Sequence, residues 1–173
     1  MIIKLIGGIL VVSSCAASGC IMSRKSRYRI EDIEEMKKAV SFYKGSVCAM
    51  GLSAGEAFRE TALRIKGAVK SIFEDAAEQT EKREFSDIQQ IWKNAVDKNV
   101  PSLFLNSEDM ETLYSFGAIA GFMDRQQQRE NAELIISELE RIQKKAGEKC
   151  AREEKLFPSA GALCGMLLCI LLF

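Results

Sequence analysis

The sequence contains no histidine, so the commonest general base and the commonest metal ligand are both missing. Only two prolines interrupt its 173 residues and β-branched runs are scarce, which predicts an all-α protein. Neither sign of charge is in excess. The formal net charge is zero, leaving no bulk electrostatic case for nucleic acid or an acidic substrate. No G-x-x-x-x-G-K-[ST] loop, G-x-S-x-G elbow or H-E-x-x-H helix occurs. Six cysteines are present without a C-x-x-C, which argues against a zinc site or a disulfide framework. Cys15, Cys20, Cys164 and Cys169 lie in apolar stretches, where cysteine behaves as a small hydrophobe. The residues therefore give no catalytic group, no cofactor site and no metal site to work with, and the protein reads as a non-enzyme.

What the chain does have is two apolar ends. Residues 5–23 and 156–173 carry no charge. At about 1.5 Å per residue each helix would span roughly 27–29 Å, close to the ~30 Å hydrocarbon core of a bilayer. Three segments follow: an N-terminal transmembrane anchor at 1–23, a charged helical bundle at 24–155, and a C-terminal transmembrane anchor at 156–173. Arg24, Lys25, Arg27 and Arg29 follow the first span, against Lys4 before it. Lys144, Lys145, Lys149, Arg152 and Lys155 precede the second. Both asymmetries place the bundle on the cytoplasmic side. The same basic cluster can also sit against anionic headgroups.

The first span holds a competing signal. "VSSC", residues 12–15, has the form of a lipoprotein processing box behind a short apolar stretch. A retained membrane helix is expected, because the apolar run continues past Cys15 to full spanning length. The alternative is an exported lipoprotein anchored through Cys15. In the last span Gly161 and Gly165 form a G-x-x-x-G, a spacing that lets membrane helices approach closely.

Between the ends about six helices are predicted. The first begins near Arg29, with Ile33, Met36, Val40, Tyr43, Val47 and Met50 as an apolar seam and Gly51 as its end. Ser53 and Glu56 make a capping box for a second helix, with Phe58, Ala62 and Ile65 inward and Gly67 as its end. A third buries Val69, Ile72, Phe73 and Ala76. Ser86 with Gln89 opens a fourth, with Ile88, Ile91, Trp92, Ala95 and Val96 inside, and Pro101 breaks the chain after it. Ser107, Glu108 and Asp109 open a fifth, with charge that suits a helix N-terminus. Its inner face is Met110, Leu113, Tyr114 and Gly117, and Gly121 ends it. Asp124, with Gln127 three residues on, caps the longest helix. Ala132, Ile135, Leu139, Ile142 and Ala146 face the first helix in antiparallel pairing, and Pro158 marks the join with the last anchor.

Two stretches carry a resemblance. One is "KLIGGILVV" leading into "RIEDIEEMKKAVSFYKGSV" and "GLSAGEAFRETA"; the other is "SFGAIAGFMDRQQQRENAELIISELE" followed by "EKLFPSAGALCGMLLCILL". The chain resembles the stage III sporulation protein AB family over nearly its whole length. The most specific positions are Gly121, Asp124 and Gln127 in "GFMDRQQQ", and Phe73 and Trp92 sit where the family favours large apolar residues. It departs at Ser53, where the family often carries proline beside the leucine, and in the cysteines of the first span. The resemblance implies a membrane component of the mother-cell-to-forespore channel, two-pass in the mother-cell membrane. It also implies a bundle similar to the cytoplasmic F domain of type II secretion and type IV pilus platform proteins. The partners it implies are the stage III sporulation ATPase, protein AA, and the other membrane components of that channel, with a homo-oligomer open.

Overall fold

The computed structural model describes the backbone of residues 2–82, 87–121 and 124–172, and the side chains of 14, 24–82, 87–121, 124 and 126–153. All regular structure among them is helical: α1 Ile2–Cys48, α2 Ala54–Ala62, α3 Gly67–Lys82, α4 Ile88–Asn99, α5 Ser107–Ala120 and α6 Arg125–Leu172, with a 3₁₀ turn at Val100–Ser102. The chain divides into two compact units. One comprises Met1–Tyr28 with Lys145–Phe173, the other Arg29–Lys144.

The six α-helices include both terminal segments, since α1 and α6 continue without a break into the apolar ends. The first helix does not begin near Arg29 but at Ile2, and no break occurs at Pro158, since α6 continues to Leu172. A proline within a helix removes one backbone hydrogen bond without ending it when the turns on either side are otherwise favourable. The spans expected at 5–23 and 156–173 are helical in backbone; apart from Ser14 their side chains lie outside the described residues. Among the described residues no helix is long and apolar enough to cross a membrane.

In the Met1–Tyr28/Lys145–Phe173 unit, the Ser26 hydroxyl donates to Glu153, which also pairs with Lys149 at 3.8 Å. Cys150 is buried there.

The Arg29–Lys144 unit is built around aromatic rings from five different positions. Tyr43, Phe58, Phe73, Trp92 and Phe116 are each about 1% exposed or less. Their ring centroids lie 4.8–5.9 Å apart, most of them tilted or edge-on. Such pairs each add about 0.5–1.5 kcal/mol beyond the area they bury. The seam of α1 is inside as expected through Ile33, Met36, Val40, Tyr43 and Val47. Met50 is not. It is 59% exposed, because the helix ends at Cys48 and Gly51 turns the chain with φ +71°.

Local signals set most helix starts. Ser53 and Glu56 form the expected capping box, with the Ser53 backbone N–H donating to Glu56 Oε2 at 2.9 Å. The Glu56 carboxyl is held below the usual range, first by the Ser53 hydroxyl and then by that N–H. Gly67, expected to end α2, opens α3 instead with φ +67°, and Ile65 is buried in the connection. The cap of α4 is Asp87, which accepts from Gln89 N at 3.0 Å; Ser86 lies outside the described residues. The cap of α5 is Asn106, one residue before the expected start, in a reciprocal box with Asp109. Its inner face turns Phe116 and Leu113 into the core, while Met110 and Tyr114 are only half-buried. Asp124 caps α6 by accepting from Gln126 N at 3.0 Å.

Pairings fix helix directions within this unit. Lys37 reaches Gln143 and Glu140, and Lys44 reaches Glu133, so α1 and α6 run antiparallel. Arg29 meets Asp109 and Tyr43 meets Ala120, so α1 and α5 run parallel. Tyr114 meets Asp97, Gly117 meets Trp92 and Gly121 meets Ile88, so α4 and α5 run antiparallel.

Candidate functional site

An open groove of about 600 Å³ runs along α2 and the end of α3. Gly55 on α2 packs against Thr80, late on α3. A Cβ there would come within 2.8 Å of Thr80 Cγ2, so a larger residue would push the helices apart. Met50 and Leu63, 59% and 74% exposed, supply the apolar surface. Glu56, Glu60 and Glu81 line the groove together with Arg59, and a neighbouring hollow adds Glu74 and Glu78. These carboxylates are engaged locally: Glu81 with Arg59, Glu60 with Arg64 at 3.3 Å, Glu74 with Lys70 at 3.5 Å, and Glu78 with Lys82 at 2.6 Å. Exposed pairs of this kind are worth about 0–1 kcal/mol and re-pair readily. The groove therefore offers an apolar strip edged by exchangeable carboxylates, suited to a basic amphipathic surface. Among the described residues no cluster of histidine, cysteine, aspartate or glutamate could hold a metal ion.

A second arrangement is buried and polar. Arg29 Nε and Nη2 donate to the two oxygens of Asp109 at 2.7 and 2.9 Å, and the Asp109 side chain is fully buried. The same carboxylate accepts from the Asn106 backbone N–H. Arg29, expected to act through membrane topology, therefore also closes a bidentate pair inside the bundle. Arg24, Lys25 and Arg27 are exposed.

The "GAIAGFMDRQQQ" stretch forms a third. Gly117 packs on Trp92, and Gly121 is the C-cap of α5 with an ordinary right-handed φ of −84°. Tyr43 Oη donates to the Ala120 carbonyl at 3.2 Å, and Gln128 Nε2 lies 3.3 Å from the Ile119 and Ala120 carbonyls. Burial drives the Tyr43 hydroxyl far above its usual pKa, so it serves only as a neutral donor. Asp124 and Gln127 are exposed, and it is Gln128 that turns inward. Gly161 and Gly165 lie outside the described side-chain residues.

Sequence reasoning missed the partner of Asp109, the inward turn of Gln128 and the groove. A buried aspartate beside an ordinary N-cap gives no sequence signal of a partner 80 residues away.

These observations define an all-helical, aromatic-cored bundle. The chain belongs to the stage III sporulation protein AB family, whose model matches residues 4–173. It is 25% identical to stage III sporulation protein AB of Bacillus subtilis (strain 168) over 170 residues, covering 98% of this chain and 99% of that one. A solved structure of stage III sporulation protein AB (SpoIIIAB) superposes with a TM-score of 0.67 at 21% identity, covering 72% of this chain and 97% of that chain. Membership places the protein in sporulation.

Proposed function

We propose that this protein is a non-enzymatic platform component of the mother-cell-to-forespore channel, docking the cytoplasmic ATPase, protein AA, to the membrane assembly. The observation that carries the reading is the family match from residue 4 to residue 173, which includes both apolar ends as well as the bundle. The lack of charge in 5–23 and 156–173 supports two retained membrane helices, and the basic residues at 24–29 and 144–155 support a cytoplasmic bundle. The α2–α3 groove is the docking face. Its carboxylates complement a basic surface of the ATPase, while Met50 and Leu63 supply apolar anchors.

The test is recruitment of purified protein AA to proteoliposomes carrying the full chain. Binding that is lost in Leu63→Glu with Met50→Glu supports the reading, and absence of binding to the unaltered chain overturns it. Topology is read separately with a membrane-impermeant thiol reagent on intact cells, using Leu63→Cys after the native cysteines are replaced by alanine. Cys48 and Cys150 are poor reporters, being half-buried and buried. Labelling without lysis, together with lipid incorporated at a retained Cys15, would establish the exported lipoprotein that "VSSC" suggests.

A further inference from the structure

The two hollows on the α2–α3 face share a wall. Arg59 and Leu63 of α2 and Glu81 of α3 line both of them, the larger of about 600 Å³ and the smaller of about 340 Å³. Arg59 Nη2 pairs with Glu81 Oε1, and both side chains are more than half exposed. Among the described residues lining these hollows, Arg59 is the one base, and Glu56, Glu60, Glu74, Glu78 and Glu81 are the acids.

Helical spacing lines these acids up. Glu56 and Glu60 are one turn apart on α2, and Glu74, Glu78 and Glu81 follow at steps of four and three on α3, so each helix presents a row of carboxylates. Three of their pairs, Glu60 with Arg64, Glu74 with Lys70 and Glu78 with Lys82, stay within one turn of one helix. Arg59–Glu81 instead crosses from α2 to α3. The two helices do not depend on it to stay together. Phe58 of α2 packs edge-on against Phe73 of α3 with centroids 5.8 Å apart, and Gly55 packs on Thr80. An exposed pair of this kind adds little to stability, so it can exchange partners cheaply.

We propose that the Arg59–Glu81 pair is a strap across one continuous trough, and that a basic amphipathic helix of protein AA opens it by placing its own lysine or arginine on Glu81. This deepens the groove reading above and rests on it. The nine residues of α2 rise about 13 Å, enough to flank roughly two and a half turns of a partner helix. Once displaced, Arg59 no longer stands between the hollows, and carboxylates from both helices face the incoming cation. The free protein satisfies Glu81 internally. A segment without a cation at the right position cannot replace Arg59 there, so the trough selects by placement of charge as well as by apolar fit.

The test measures the affinity of purified protein AA for proteoliposomes carrying the full chain. Arg59→Gln removes the strap and is expected to tighten binding about three- to fivefold, the range that exchange of one exposed ion pair can supply. Glu81→Gln removes the acceptor and is expected to weaken binding by a similar factor. Lys38→Gln makes the same change of net charge at pairs within α1, with Glu34 and Glu35 at 2.8 and 2.9 Å, and should leave the affinity as it was. All three variants should unfold at the temperature of the unaltered chain, since the altered side chains are exposed. Binding that is unchanged or weaker in Arg59→Gln overturns the strap while leaving the groove reading in place. An equal gain in Lys38→Gln overturns it too, because bulk charge would then account for the effect, as does unweakened binding in Glu81→Gln. If neither the unaltered chain nor Arg59→Gln binds, or if Leu63→Glu with Met50→Glu leaves binding intact, the groove reading and this proposal fall together.

Discussion

Gly117 packs directly against the Trp92 indole: a Cβ at Gly117 would fall 2.6 Å from Trp92 Cδ1 and 3.0 Å from its Cβ. Neither side can yield. Trp92 is ringed by Phe58, Phe73 and Phe116, and its Nε1 donates to the Leu113 carbonyl at 2.7 Å. Gly117→Ala is therefore expected to destabilise the bundle by about 1–3 kcal/mol despite the better helix propensity of alanine. Urea unfolding followed by Trp92 fluorescence measures it. Trp92→Phe in the same chain, followed by circular dichroism, is expected to recover part of the loss, and strict additivity of the two changes would count against the packing explanation.

Asp109→Ala leaves the Arg29 guanidinium, 17% exposed, without its carboxylate. Loss of one partner from a buried pair costs about 3–5 kcal/mol. Thermal unfolding should show Asp109→Ala well below Asp109→Asn, whose amide oxygen still accepts from Arg29. Equal midpoints would mean that the pair carries little of the fold.

Thr61 is fully buried and its hydroxyl has no hydrogen-bond partner among the described residues. Thr61→Val keeps the shape and removes the polar atom. Leaving a buried polar group unsatisfied costs about 1–3 kcal/mol, so the valine variant should unfold at higher urea with an unchanged slope. A lower midpoint would show that the hydroxyl is satisfied in solution.

Asp32 has its carboxyl pKa raised, chiefly by burial, while the Phe104 N–H pulls in the opposite direction. A folded pKa above the unfolded one means that the folded state holds the proton more tightly. The contribution of Asp32 is thus most favourable below the unfolded carboxylate pKa and declines as pH rises through the raised folded value. Asp32→Asn retains an acceptor for Phe104 and does not titrate. It should be more stable than the unaltered chain at neutral pH, with the difference shrinking as the pH falls through the raised folded pKa towards the unfolded carboxylate pKa. A constant difference across that range would mean Asp32 is not the group responsible.

The parts of this fold that rest on neighbours in sequence are legible in the sequence. The 3–4 spacing from Ile33 to Val47 and from Ala132 to Ala146 places those residues inside, because a helical stripe can bury only one face. Ser53 and Glu56 meet because three residues of helix bring them together. At α4 two adjacent residues, Ser86 and Asp87, are both good caps, and only the entry path of the chain chooses between them. Asp109 illustrates the limit. A negative first turn explains it locally, and that sufficient local reason hides its partner on α1. Gln127 and Gln128 are alike in chemistry and one helical step apart. Which of them faces the end of α5 depends on the packing of α6, a tertiary property.

Tyr43 on α1 and Gln128 on α6 both engage the carbonyls that close α5, where three helices meet away from water. Sliding any one of them by a turn would strand those carbonyls without donors, at several times thermal energy. That junction ties α1, α5 and α6 together at one point, so a shift of any one of these helices within the Arg29–Lys144 unit is opposed by the other two.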